Sequence, residues 1–197
     1  KIFEEFALVN PTSLSAAPRF YDSIYNQYQA TLTQFKKDYP ETMSSQAEAY
    51  CLNQYRLILG NALQILVVGG AAVSPFTKEF LTKCFNLPVF DGYGTTEAGG
   101  ITADGKLYPG TEVKIVDCPD LGYTANDKPW PRGEVWAKTA SMVSGYYKDP
   151  ETTSEYFQDG WFITGDIVEV RNENEYYIID RRKNLFKLSQ GVFVAPS

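Results

Sequence analysis

Histidine is missing from all 197 residues, and that absence excludes more chemistry than any other feature of the composition. Without imidazole there is no Ser-His or Cys-His nucleophile pair and no histidine general acid or base. Catalysis must then rest on carboxylates, lysines, hydroxyls, backbone amides or a metal. Cysteine is scarce too: Cys51, Cys84 and Cys118 are odd in number and widely spaced. That pattern suits buried, reduced thiols in a cytoplasmic protein, and neither a disulfide frame nor a zinc site. Long basic runs are absent. The net charge is −6, and the densest cationic cluster is the short Arg181-Arg182-Lys183, so no nucleic-acid partner is expected. No apolar run approaches the roughly 20 residues of a membrane span, which leaves peripheral membrane contact open. The opening KIFEEFALVN lacks a signal-peptide pattern. It also lacks an initial methionine, so the chain reads as a piece of something longer.

What is present is an ordinary globular balance, 44% hydrophobic and 21% charged, which argues against wholesale disorder. Between Pro18 and Tyr39 the residues Tyr21, Ile24, Tyr25, Tyr28, Leu32 and Phe35 recur at three- and four-residue spacing, predicting an amphipathic helix. A second helix is predicted over Gln46 to Leu59. The period then changes. LQILVVGG, Leu63 to Gly70, is a continuous apolar run that stops on two glycines, as a doubly buried strand would. Ser74-Pro75 opens a helix to about Phe85 with an N-cap residue and a proline at the first helical position. LPVFDGYG repeats the strand and glycine stop, which makes a parallel α/β unit with ligands expected at the carboxyl ends of its strands. Beyond Gly100 come shorter strands: ITADGKLY with an Asp104-Gly105 turn, EVKIVD and GEVWAKT. Asp149-Pro150 starts a short helix, and WFITGDIVEV with EYYIID forms a hairpin around RNENE.

Four stretches carry candidate chemistry. In DGYGTTEAGG, Asp91 to Gly100, glycines after a buried strand let backbone amides approach a ligand, and hydroxyls bond phosphate oxygens without adding charge. Gly92, Gly94, Thr95 and Thr96 would face phosphates. Glu97 would hold magnesium, a hard cation that binds through one or two carboxylates plus substrate phosphates, and Tyr93 would offer a flat face to a base. The alternative is a tight turn with an exposed glutamate. VVGGAAVSP would open space at a strand end, or would simply pack a helix close. In GWFITGD, Asp166 could accept hydrogen bonds from two ribose hydroxyls, or could serve only as a turn former. IDRRKNLFKLSQG joins a strand end, a cationic cluster and a glycine, and otherwise reads as a solvated basic loop.

Taken together and in this order, DGYGTTE, GWFITGD and DRRKNLFKLSQG resemble the adenylate-forming superfamily of acyl-CoA synthetases, luciferases, peptide-synthetase adenylation domains and carboxylic acid reductases. PDLGYTANDKPWPRGEVWAKT, GYYKDPETTSEYF and FKLSQGVFVAPS are most similar to long-chain acyl-CoA synthetases and to the adenylation domains of carboxylic acid reductases. The resemblance implies an α/β fragment of that fold: a parallel-strand core, a smaller β-rich subdomain, and the start of a mobile C-terminal domain. The corresponding boundaries are 1–110 for the end of the large α/β subdomain, 111–180 for the β-rich one, and 181–197 for the hinge and the first residues beyond it.

By the same resemblance Gly70, Ala71 and Ala72 line the adenine pocket, Tyr93 packs against the base, and Gly94 and Thr95 lie along the nucleotide. Thr96 bonds the α-phosphate and Glu97 holds Mg2+. Asp166 takes both ribose hydroxyls, with Arg181 at the same ribose. Lys183 is the hinge, and Lys187 approaches the active site in the thioester-forming conformation. The implied reaction turns a carboxylic acid, a fatty acid first among the candidates, and ATP into acyl-AMP, then passes the acyl group to coenzyme A. In a second reading the acceptor is the phosphopantetheine of a carrier protein, as in a carboxylic acid reductase or synthase loading module. A third reading is a non-catalytic nucleotide-binding remnant. The family's phosphate loop is expected before Lys1 and its adenylation lysine after Ser197, so this chain by itself is expected to be inactive.

Overall fold

The computed structural model describes residues 2–71, 73–172, 174–184, 186–187 and 193–194. The fold is α/β. The chain forms two compact units, Lys1–Asp91 and Gly92–Ser197. The first holds α1 (Ile2–Val9), β1 (Ser13–Ala16), α2 (Pro18–Asp38), α3 (Ser44–Tyr55), β2 (Ile65–Gly69) and α4 (Pro75–Phe85). β1 runs parallel to β2, with Ser13 opposite Ile65 and Ala16 opposite Val68. The amphipathic reading of α2 is met at Tyr21, Ile24, Tyr28 and Leu32, all buried, with Tyr25 and Phe35 at the margin of the same core. Proline suits the first turn, where an amide N–H would be unpaired, and Lys36 and Lys37 in the last turn suit the negative end of the helix dipole. The Tyr21 hydroxyl donates to the carbonyls of Leu14 and Val67 at 3.1 and 3.2 Å, so the helix is stapled to both strands by one phenol.

Three local differences from the sequence reading have physical causes. β1 is Ser-Leu-Ser-Ala, whose Leu14 and Ala16 alternate toward the core, but four residues are too few for that alternation to stand out, and it is a strand because β2 supplies its hydrogen-bond partner. α1 is likewise too short to announce itself by period. α3 starts earlier and stops at Tyr55. There the chain leaves the helix in turns, and Gly60 at φ 89° swings it toward Asn10, whose side-chain oxygen accepts the Asn61 and Ala62 amides at 2.8 and 3.0 Å. Ser74 stands at the N-cap of α4 with extended backbone, but its hydroxyl makes no cap hydrogen bond. Asp149 does cap its helix, accepting from the Thr152 amide at 3.0 Å.

β3 (Val89–Thr95) leaves the first unit and enters the second. There it pairs antiparallel with β4 (Gly99–Ala103), which pairs with β5 (Lys106–Leu107). A second antiparallel sheet contains β6 (Glu112–Val116), β7 (Arg132–Lys138), β8 (Phe157–Gln158), β9 (Trp161–Arg171) and β10 (Glu175–Arg181), in the order β10-β9-β7-β6 with β8 on β9. α5 (Pro150–Tyr156) precedes β8, and the short β11 (Phe186–Lys187) and β12 (Phe193–Val194) pair antiparallel. Ala98, Ile101, Ala137 and Phe162 form the buried centre of this unit, and Tyr93 packs against it. Among the described residues no helix is long and apolar enough to cross a membrane.

Candidate functional site

The stretch expected to be a loop is mostly strand. β3 continues through Thr95, β4 resumes at Gly99, and Thr95 stands opposite Gly99, so Thr96-Glu97-Ala98 is a hairpin turn. A Cβ at Gly94 would overlap the Gly99 carbonyl oxygen, so glycine is needed there for the two strands to approach, whatever a ligand requires. Thr95 Oγ1 accepts from the Ala98 amide at 2.9 Å and closes the turn. Thr96 is exposed.

The segment after β7 grips this turn. The Glu97 carbonyl accepts the Val143 amide at 2.8 Å, and the Ala98 carbonyl accepts the hydroxyls of Thr139 and Ser141. The half-buried Glu97 carboxylate accepts from the Tyr146 hydroxyl at 2.7 Å. Burial, then that carboxylate, pushes the Tyr146 phenol up to about 12.

Asp166 is buried at 2% exposure. Its Oδ1 accepts from Arg181 Nε at 2.9 Å and its Oδ2 from the Tyr93 hydroxyl at 2.8 Å. The β9–β10 register places Arg181 directly opposite Asp166. The Asp166 amide donates to Thr164 Oγ1 at 3.0 Å, and that hydroxyl donates in turn to the Val135 carbonyl at 2.6 Å. Burial raises the Tyr93 phenol far above its ordinary range, and the Asp166 charge adds to the shift. A neutral donor thus faces a buried anion whose charge the Arg181 guanidinium balances.

Beside Arg181, Arg182 reaches the other way. Its Nη1 lies 3.2 Å from Oε2 of the buried Glu134, and its Nη2 lies 3.2 Å from Asp120. Trp136 Nε1 also donates to Glu134 Oε2, at 3.2 Å. Lys183 holds its ammonium 5.2 Å from the centre of the Tyr156 ring. Lys187 stands on β11. Gly70 and Ala71 are exposed residues of the first unit, Gly70 at φ 84°, and Ala72 lies outside the described residues.

The second unit therefore brings Tyr93, Asp166 and Arg181 into one hydrogen-bonded group, and puts Thr95 at the strand end that leads into the turn carrying Thr96 and Glu97. Sequence reasoning missed Tyr146, Glu134 and the division of labour between the two arginines. The Asp149-Pro150 cap after Tyr146 was visible, but its target 49 positions away was not. The donor set fits magnesium. Among the described residues no three His, Cys, Asp or Glu side chains cluster as a metal cage. A single oriented carboxylate beside an exposed hydroxyl is what a cation completed by substrate phosphates and water requires.

The family described as AMP-binding enzyme matches residues 1–147. A carboxylic acid reductase of Segniliparus rugosus is 42% identical over 198 aligned positions, covering 99% of this chain and 16% of that protein. The peroxisomal long chain acyl-CoA synthetase 7 of Arabidopsis thaliana is 32% identical over 225 positions, covering 100% of this chain and 32% of that protein. Among solved structures, the adenylation domain of a Mycobacterium chelonae carboxylate reductase superposes with a TM-score of 0.84 at 37% identity, covering 98% of this chain and 30% of that one. The corresponding domain from Segniliparus rugosus, solved with AMP and a co-purified carboxylic acid, gives 0.80 at 40% identity, covering 98% and 31%. The chain thus spans a third or less of the length of these relatives.

Proposed function

We propose, from the premise that this chain belongs to the AMP-binding enzyme family, that the protein containing it activates a carboxylic acid with ATP and passes the acyl group to a thiol. The observation that carries the reading is the buried Asp166 paired with Arg181 opposite it, an acceptor and a donor that stand side by side and can meet one ribose together. Asp166 accepts from both ribose hydroxyls through its remaining lone pairs, and Arg181 reaches the same ribose. Tyr93 keeps its hydroxyl on Asp166 and offers its ring to the base. Gly70, Ala71 and Ala72 are assigned to adenine by the resemblance alone.

In the first half-reaction an oxygen of the substrate carboxylate attacks the α-phosphorus. The bond from that phosphorus to the bridging oxygen breaks, and pyrophosphate leaves. Thr96 donates its hydroxyl to an α-phosphate oxygen, with Gly94 and Thr95 alongside. Glu97 would hold Mg2+, and a bound magnesium neutralises phosphate charge. Positioning and electrostatics supply most of the acceleration in such transfers, so the lack of histidine is no obstacle. In the second half-reaction a thiol sulfur attacks the acyl carbonyl, the bond to the phosphate oxygen breaks, and AMP leaves. Lys183 serves as the hinge between the two steps, with residues 181–197 opening a small mobile domain and Lys187 entering the site in the second.

Two acceptors fit. Phosphopantetheine on a carrier protein is favoured by the 42% identity to a carboxylic acid reductase. Coenzyme A is favoured by the match of the whole chain to a long-chain acyl-CoA synthetase, which would make the acid a fatty acid. Three unpaired, buried cysteines support a cytoplasmic setting. ATP–pyrophosphate exchange by the intact protein, across a panel of aliphatic and aromatic acids, tests the first step. Exchange with at least one acid is expected, and none with any would favour a nucleotide-binding remnant. Acyl transfer to coenzyme A against a loaded carrier then separates the acceptors.

A further inference from the structure

We propose that Tyr146 is a positioning residue for Glu97, holding that carboxylate in the orientation that meets the cation. The inference rests on the reading of Glu97 as the magnesium ligand. A glutamate in a hairpin turn ordinarily turns freely about its side-chain bonds, and each metal encounter must then select one orientation. Here the Tyr146 hydroxyl donates to Oε1 at 2.7 Å, which restrains the carboxylate at one oxygen and leaves Oε2 with no protein hydrogen bond among the described residues. Val143, Thr139 and Ser141 hold only the backbone of the turn. Tyr146 is the group that touches the carboxylate itself.

The phenol is held as firmly as a positioning role demands. The Tyr146 amide donates to Thr153 Oγ1 at 2.9 Å, and Thr153 Oγ1 donates to the Asp149 carbonyl at 2.6 Å. Asp149 caps α5 and also bridges back to Tyr146. Gly145 sits at φ 148°, where a Cβ would collide with the Thr153 side chain. The Tyr146 ring stands edge-on to Tyr156 and Phe157, with centroids 6.3 and 5.8 Å away. The capped helix and its preceding turn therefore form a platform whose one polar tip points at Glu97. Partners that orient a metal ligand through a hydrogen bond commonly change metal affinity when removed.

The test measures Mn2+ bound by the intact protein with a non-hydrolysable ATP analogue, reading free Mn2+ by electron paramagnetic resonance. Tyr146→Phe keeps the ring and removes the bond. It should weaken Mn2+ binding about tenfold and raise the Mg2+ requirement for acyl-AMP formation by a similar factor, with metal-free AMP affinity unchanged. Phe157→Leu loosens the same aromatic packing without touching the bond and should leave Mn2+ affinity as in the wild type. An equal loss in Phe157→Leu, or no loss in Tyr146→Phe, overturns the inference. Glu97→Gln, measured alongside, separates the two layers. If it weakens Mn2+ binding while Tyr146→Phe does not, only the positioning role fails. If Glu97→Gln binds Mn2+ like the wild type, the ligand assignment fails and the positioning role fails with it.

Discussion

Tyr93 donates its hydroxyl to Asp166 at 2.8 Å across 73 positions of sequence, while Arg181 holds the other oxygen of the same carboxylate. Asp166→Ala in the intact protein should weaken binding of ATP and of an acyl-AMP mimic by about a hundredfold or more, since the two charge-assisted hydrogen bonds proposed to the ribose, about 1.5–3 kcal/mol each, are lost. Calorimetry gives the comparison, and unchanged affinity removes Asp166 from the nucleotide site. Tyr93→Phe tests the other side of the relationship. It strips one donor from a buried anion and should lower stability by about 1.5–3 kcal/mol at the urea midpoint.

Glu134 is buried at 3% exposure and meets Arg182, whose side chain is 44% exposed. Arg182→Ala leaves that carboxylate in place with Trp136 as its remaining donor, and should destabilise by about 2–3 kcal/mol, below the range for a fully buried pair because the arginine is half in water. Glu134→Gln removes the stranded charge. The double variant should therefore recover part of the loss, and full additivity in a double-mutant cycle would show that the two side chains do not interact.

Lys183→Pro separates hinge from basic loop. Proline fixes φ near −65° and restricts the residue before it, so a backbone that must rotate between half-reactions would be trapped. Acyl-AMP formation, followed by pyrophosphate release in a single turnover, should survive. Acyl transfer from supplied acyl-AMP to the thiol should collapse. Equal loss of both steps, or of neither, places the pivot elsewhere. Lys183→Ala removes the ammonium from the Tyr156 ring but frees the backbone, and should spare both steps.

Alkaline pH should destabilise the protein in two stages. Burial pushes the Cys84 thiol from 9.0 to about 12 and the Tyr21 phenol from 10.0 to about 12. Between the unfolded and folded values the folded chain keeps a proton that the unfolded chain has lost, so stability falls as pH rises. The urea midpoint should hold below about pH 9, decline from there as Cys84 contributes, and steepen above about pH 10 with Tyr21. Cys84→Ala should make the slope between those two values shallower, with Cys51 and Cys118, whose thiols burial also raises, keeping part of it, and an unchanged slope would show that the Cys84 thiol is not protected.

Much of this was legible in the chain. The period of α2, the apolar run of β2, the Pro150 helix start and the β9–β10 hairpin are local patterns, and local sterics and hydrogen bonding enforce them without help. β1 was not legible, because the alternation of Ser-Leu-Ser-Ala is only four residues long and a strand that short exists only where a partner offers its edge. The path of the chain after α3 was not legible either, since Asn10, 51 and 52 positions away in sequence, holds Asn61 and Ala62 there.

The same division runs through the candidate site. Residue identities determined which chemistry was available: no imidazole, one carboxylate beside two threonines, an aspartate after a Thr-Gly pair, three cations in a row. Which of these groups meet was decided only by tertiary structure. Strand register turned Arg181 onto Asp166, and the 3-10 turn of Arg182–Asn184 that follows the strand carries its neighbour Arg182 to Glu134 instead. The hairpin turned an expected glycine loop into paired backbone. The capped helix α5 aimed Tyr146 at Glu97. Hydrogen bonds act over about 3 Å, and nothing in the order of residues brings groups 49 or 73 positions apart within that distance until the strands between them have paired.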